Sequence, residues 1–294
     1  MTAARVRAGA AAVTLAFLVW QLGTGPFLDG LQAVDGGALA AASGLAVLTT
    51  VCCAWRWRTV AHGLGADLPL GTAVAAYYRS LFLNLTLPGG VVGDVHRGFG
   101  HGLRAVAWER SAGQVVQIAL TVAVLLVVPS PVQAVVPLAA VVLVVAAAGA
   151  GLALRGRPAA GRSRWSRLRG AAARDVRAGL LARRAWPAVV LASALVVAGH
   201  AVTFLIAART AGVTAPASQV LPLALLVLLA AALPNVGGWG PREGVTAWAF
   251  AAAGLGASLG VTTAVVYGVM VLFASLPGAV VLMADTVYRG AARV

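Results

Sequence analysis

Residues Leu87–Gly98 read LPGGVVGDVHRG. Pro88, Gly89 and Gly90 stop an α-helix, proline by its missing N–H and glycine by its freedom. Strongly apolar sequence flanks the stop, and Asp94, His96 and Arg97 follow it at once. In a water-soluble chain this is a surface turn. In a chain built of bilayer spans it is a helix broken inside the membrane.

The bulk of the sequence decides between these readings. The chain has 294 residues, 61% hydrophobic and 10% charged, with mean hydropathy +0.91. That lies outside the range of soluble globular domains. Spans need about 20 mostly apolar residues each, and such runs recur. The short alternating segments of a β-barrel are absent from the sequence. The expectation is an all-α, polytopic helical membrane protein forming a single integral membrane domain over 1–294.

About six full spans are predicted, near Gly9–Gly23, Ala38–Trp55, Gln114–Val128, Val132–Leu154, Trp186–Ala208 and Gly260–Met283. The first has a basic start but no clear cleavage site after it, so it reads as a retained anchor. Leu70–Leu87 barely reaches across a bilayer and reads as re-entrant. Two more short apolar arms, Gln219–Leu233 and Gly244–Leu255, flank a second break, LPNVGGWGPRE at Leu233–Glu243. The two breaks share Leu-Pro, then glycines, then charge.

The net charge is +14, and every cation is arginine. The charge sits between apolar spans, which points to positive-inside topology and anionic lipid rather than to nucleic acid. Placing the arginine-rich segments inside puts both termini on the cytoplasmic side of the cell (inner) membrane. The first re-entrant segment then opens inward and the second outward, a hint of an inverted repeat. Transporters of that architecture build substrate sites at broken helices. Residues 155–184 form an arginine-rich cytoplasmic loop or an interfacial amphipathic helix, with Arg164, Arg167, Arg174 and Arg177 on one face. Trp55–Arg58, WRWR, reads as an interfacial anchor.

The breaks carry the candidate chemistry. A helix N-terminus offers free N–H groups and partial positive charge to an anion. Glycine allows close approach, and arginine matches phosphate oxygens with a planar fork. Asp94 with Arg97 at i,i+3, and Arg242 beside Glu243, serve equally as neutralising ion pairs that hold the fold. Glu109 and Arg110 read either as interfacial charges before a span or as part of the site. Arg79 either snorkels or faces a polar cavity.

No metal, cofactor or catalytic residue is expected. The four histidines are scattered, Cys52 and Cys53 read as small apolar packers, and no nucleophile–base motif occurs. Asn84–Thr86 matches a glycosylation acceptor, but it lies within an apolar segment.

Phe82–Gly98, then Glu109–Arg110, then Leu233–Gly244, in this order and spacing, resemble the flippase-like transmembrane domain of lysylphosphatidylglycerol synthases. The resemblance implies a helical domain that binds and translocates lipids with anionic or aminoacylated head groups. It assigns head-group binding to Pro88, Gly89, Gly90, Gly93, Asp94 and Arg97, with Glu109 and Arg110. In the later motif it assigns Pro234, Gly237, Gly238, Gly240, Arg242 and Glu243. The full synthases carry a soluble aminoacyl-transferring domain after the membrane part. This chain ends about ten residues past its last span, so it is expected not to be an enzyme making lysyl lipid. Its expected partners are membrane lipids, above all anionic phospholipid. The alternative is an accessory protein that presents a lipid or polyprenyl carrier to a separate synthase or glycosyltransferase. A third reading, an enzyme acting on lipid phosphates, rests on Asp94, His96 and His101 alone.

Overall fold

Asp35 starts the first long helix, its carboxylate accepting the Ala38 N–H at 2.7 Å. In doing so it satisfies one of the free amides of a helix start. The computed structural model describes residues 16–87, 92–155, 164–231 and 240–291, and helices are the only extended elements among them. In chain order they are α1 Gly25–Ala33, α2 Gly36–Gly63, α3 Leu70–Thr86, α4 Val92–His101, α5 Leu103–Val127 and α6 Val136–Arg155. Then come α7 Arg164–Asp175, a π-helical turn Val176–Leu180, α8 Ala185–Thr210, α9 Ala217–Ala231, α10 Pro241–Ala252, α11 Ala257–Ala274 and α12 Pro277–Ala291.

Among the described residues, five stretches are long and apolar enough to cross a membrane: Gly36–Gly63, Leu103–Val127, Val136–Ala153, Ala185–Thr210 and Ala257–Asp285. The first part of the span expected at Gly9–Gly23 lies outside the described residues, and 16–22 are helical. Several boundaries differ from expectation: the span expected to end at Trp55 runs on to Gly63, and the one expected from Val132 starts at Val136. The span expected to start at Gln114 starts at Leu103, so Glu109 and Arg110 sit inside a helix rather than before one. The last span is interrupted at Ser275–Leu276, ahead of Pro277.

Contacts fix the direction of each helix. Ala38 and Ala42 near the start of α2 share a core with Ala201, Phe204 and Ala208 near the end of α8. Further along α2, Arg56 reaches back to Ser193 of α8. The two helices are therefore antiparallel. The α2–α8 seam is rich in alanine, because lipid gives apolar helices no hydrophobic reason to associate and close approach must supply the contact. Trp57 and Ala61 pack with Ala105 and Val106 at the start of α5, so α5 also opposes α2 and runs with α8.

Between these long helices lie two hairpins, α3–α4 and α9–α10. Their second arms have 10 and 12 residues, about 15–18 Å of helix, short of a roughly 30 Å hydrocarbon core. The first hairpin follows the C-terminal end of α2, and the second follows the C-terminal end of α8. Since α2 and α8 are antiparallel, the hairpins enter from opposite faces. Long helix, hairpin, long helix thus occurs twice with inverted sense, as α2 to α5 and α8 to α11. α6 lies at the edge against α5, with Leu138 and Val144 exposed for the bilayer.

Candidate functional site

The first hairpin closes on Asp94. Ser80 Oγ and Asn84 Nδ2 on α3 each donate to its carboxylate at 3.0 Å. Arg97 Nη2, one turn along α4, donates to it at 3.0 Å, and Arg110 of α5 adds a fourth bond. Asn84 Oδ1 also accepts the Gly93 N–H at 2.8 Å. The α3–α4 crossing demands glycine at 93, since a Cβ there would lie 2.1 Å from the Ser80 carbonyl oxygen. Backbone and side chain thus brace the same crossing from two directions.

Glu109, fully buried, is the second hub. Arg56 Nε donates to Oε1 at 2.9 Å, the Tyr77 hydroxyl donates to Oε1 at 3.2 Å, and Arg97 Nη2 donates to Oε2 at 3.2 Å. Arg56 Nη1 continues to Ser193 Oγ at 2.9 Å. Arg97 is fully buried, its guanidinium 4.1 Å from the Tyr77 ring centre and 4.5 Å from that of Trp57. Such desolvated cation–π contacts contribute about 2 kcal/mol. Among the described residues its Nε and Nη1 have no hydrogen-bond partner. The cluster holds Arg56, Arg97 and Arg110 against Asp94 and Glu109. Three cations and two carboxylates leave a formal excess of one positive charge.

The second motif is local. Glu243, in the first turn of α10, accepts the Gly240 N–H at 2.6 Å, so its carboxylate reaches back to satisfy the amide of the residue that precedes the helix. Arg242 Nε donates to the same carboxylate at 2.9 Å. Both side chains are buried. The Arg242 guanidinium lies 5.4 Å from the ring centre of Tyr267 on α11, and the Tyr267 hydroxyl is 3.3 Å from His200 Nδ1 on α8.

A cavity of about 240 Å³ lies between the two motifs. Arg56, Tyr77 and Arg110 line it from the first hairpin's side, and Leu228, Ala231 and Tyr267 from the second's. Gln114 and Gln117 of α5 and Val197 and His200 of α8 also line it. These are the middle turns of two spans, so the cavity sits at mid-height. The Arg110 side chain, 49% exposed, carries the cluster's charge to its wall.

Of the residues singled out by sequence, Gly93, Asp94, Arg97, Glu109 and Arg110 come together in one cluster, and Gly240, Arg242 and Glu243 in another. Pro88, Gly89, Gly90, Pro234, Gly237 and Gly238 lie outside the described residues, and so does the side chain of His96. The anchor reading of WRWR needs correction: Arg58 is exposed, but Arg56 and Trp57 are buried in the cluster. The signal was there, because Arg56 falls at helical spacing with Cys53 and Val60 on the apolar stripe. Ser80 carried no such mark, and Asn84 showed only as a polar interruption of an apolar segment. Arg79 pairs with Asp285 of α12, a partner 206 residues away.

In the first turns of α5, just before Glu109, Arg104 Nε and Trp108 Nε1 donate to Asp175 at 3.0 and 3.1 Å. Burial works to raise the Asp175 carboxyl, but these two donors outweigh it and hold the group below the usual carboxylate range.

A family of proteins described as "Lysylphosphatidylglycerol synthase TM region" matches the chain over residues 5–278. No curated protein and no solved structure matches it.

Proposed function

The chain belongs to the lysylphosphatidylglycerol synthase TM-region family, a membrane protein of lipid metabolism or transport, and from that premise we propose that it binds an anionic phospholipid head group in the mid-height cavity and passes the lipid between leaflets. The observation that carries this reading is the half-exposed Arg110 on the wall of a cavity shared by two oppositely inserted hairpins. An excess cation far from water is costly, and an incoming phosphate relieves it. Arg110 and Arg56 contact the phosphate, while Gln114, Gln117 and Tyr267 serve the polar remainder of the head group. At about 240 Å³ the space suits a head group and not a whole lipid, so the acyl chains stay in the bilayer during passage. Arg97, fully buried between two carboxylates and two rings, positions Asp94 and Glu109 instead of touching lipid. Opposed re-entrant hairpins support alternating exposure, because each can open its own face.

The test uses purified protein in liposomes with a fluorescent phosphatidylglycerol analogue. Wild type speeds exchange between leaflets. Arg110→Ala slows it about tenfold or more, the size of one lost charge-assisted contact. Arg174→Ala, on the exposed face of α7, leaves it unchanged. A wild-type rate equal to that of empty liposomes defeats the transport reading, and an unchanged Arg110→Ala rate defeats the site. Lipid that co-purifies without exchange points to the accessory reading.

A further inference from the structure

We propose a second binding site, for the head group of an anionic phospholipid, on the surface of the protein at the C-terminal end of α2. It is separate from the mid-height cavity and does not rest on transport. A groove of about 290 Å³ lies there between α2 and the junction of the π-turn with α8. Trp55, Arg58, Thr59 and His62 of α2 line one side, Asp67 the loop after it, and Arg184, just before α8, the other. Arg58 and Arg184 are both exposed. Two guanidinium forks facing one groove, opposed by the single carboxylate of Asp67, select a phosphate diester.

Three observations favour a lipid over a free anion. First, the groove lies among aromatic residues of the kind found at head-group depth: Trp55 lines it, and Trp186, 52% exposed, follows Arg184 by two residues. Second, apolar side chains lead away from it toward the bilayer, Val51 on α2 and Val190 and Leu191 on α8, all exposed. They give acyl chains a surface continuous with the head-group seat. Third, the groove is built into the fold. Gly63 of α2 meets the π-turn so closely that a Cβ there would lie 2.4 Å from the Ala178 carbonyl oxygen. Asp175, the residue before that turn, is clasped by Arg104 and Trp108. The wall therefore needs no lipid to form it.

The full chain in phosphatidylcholine nanodiscs with a minor share of phosphatidylglycerol, read by native mass spectrometry, tests this. Wild type retains phosphatidylglycerol in preference to phosphatidylcholine. Arg58→Gln and Arg184→Gln each lower that preference about fivefold, the worth of one arginine at an anionic surface. Asp67→Asn raises it, an outcome that misfolding cannot imitate. Arg110→Ala, which strikes the mid-height cavity, leaves this population in place. Wild-type retention in the Arg58→Gln/Arg184→Gln double variant overturns the site, as does loss of all retained phosphatidylglycerol in Arg110→Ala. Displacement of the lipid by inorganic phosphate overturns the lipid assignment in favour of a free anion.

Discussion

In the α3–α4 hairpin, Asp94 is bonded from α3, α4 and α5, and Glu109 from α2, α3 and α4. In the α9–α10 hairpin, Arg242 and Glu243 are neighbours in sequence, and their carboxylate caps the helix they start. Both hairpins bury charge at a break, but the first uses hydrogen bonds to join four helices, while the second finishes one and meets a neighbour through the Tyr267 ring. The difference teaches what a buried ion pair does in a bilayer. Between distant residues it fixes a tertiary arrangement that apolar contact cannot specify in lipid. Between neighbours its hydrogen bonds settle local backbone and charge.

The strongest test of this contrast is Glu109→Gln. It leaves Arg56 and Arg97 buried with their shared carboxylate gone, and breaking a buried pair in this way costs about 3–5 kcal/mol. Unfolding of the purified protein in a denaturing-detergent titration measures it. Pairing the change with Arg56→Gln recovers part of the loss. A cost below about 1 kcal/mol, where exposed pairs fall, would show that the cluster does not hold the four helices together.

Arg242→Gln sharpens the other side. Glu243 keeps the Gly240 N–H but stays buried without its cation, so the same titration registers about 3 kcal/mol, the low end of the range for breaking a buried pair. A larger cost than that of Glu109→Gln reverses the contrast and makes the second hairpin the better anchored.

The smallest effect concerns the extension of the first cluster's helix α5 to the arginine-rich segment. Asp175 has a carboxyl held below its ordinary value. Its contribution is therefore complete above the unfolded-state value of about 3.9 and lost as pH falls through the lowered folded-state value. Amide exchange across 164–181 is expected to show protection near neutral pH that fades below about pH 4. Asp175→Asn should remove that pH dependence while leaving α4 protected.

How much of this was legible beforehand follows the same division. Asp94 with Arg97 and Arg242 with Glu243 were readable as pairs, because both lie within one helical turn. Glu109 was readable as a charge near a span, but its burial was not. A helix that begins eleven residues earlier than its apolar core suggests turns an interfacial residue into a central one. Arg56 was mistaken for an anchor because tryptophans flank it, and only the face it occupies distinguished the two roles.

The amino-acid sequence by itself determined the helical membrane class, the two breaks, their glycine-and-charge chemistry and their order along the chain. Those properties depend on local composition and on the length a bilayer demands. The arginine distribution already pointed to hairpins inserted from opposite faces, and the antiparallel α2 and α8 agree with it; only the tertiary structure decided that Arg56, Arg97, Arg110, Asp94 and Glu109 form one cluster, and that a cavity separates them from Tyr267. Their partners lie up to 137 residues apart. Apolar helices carry little sequence record of which neighbour they choose, because lipid and protein are nearly equivalent surroundings for them.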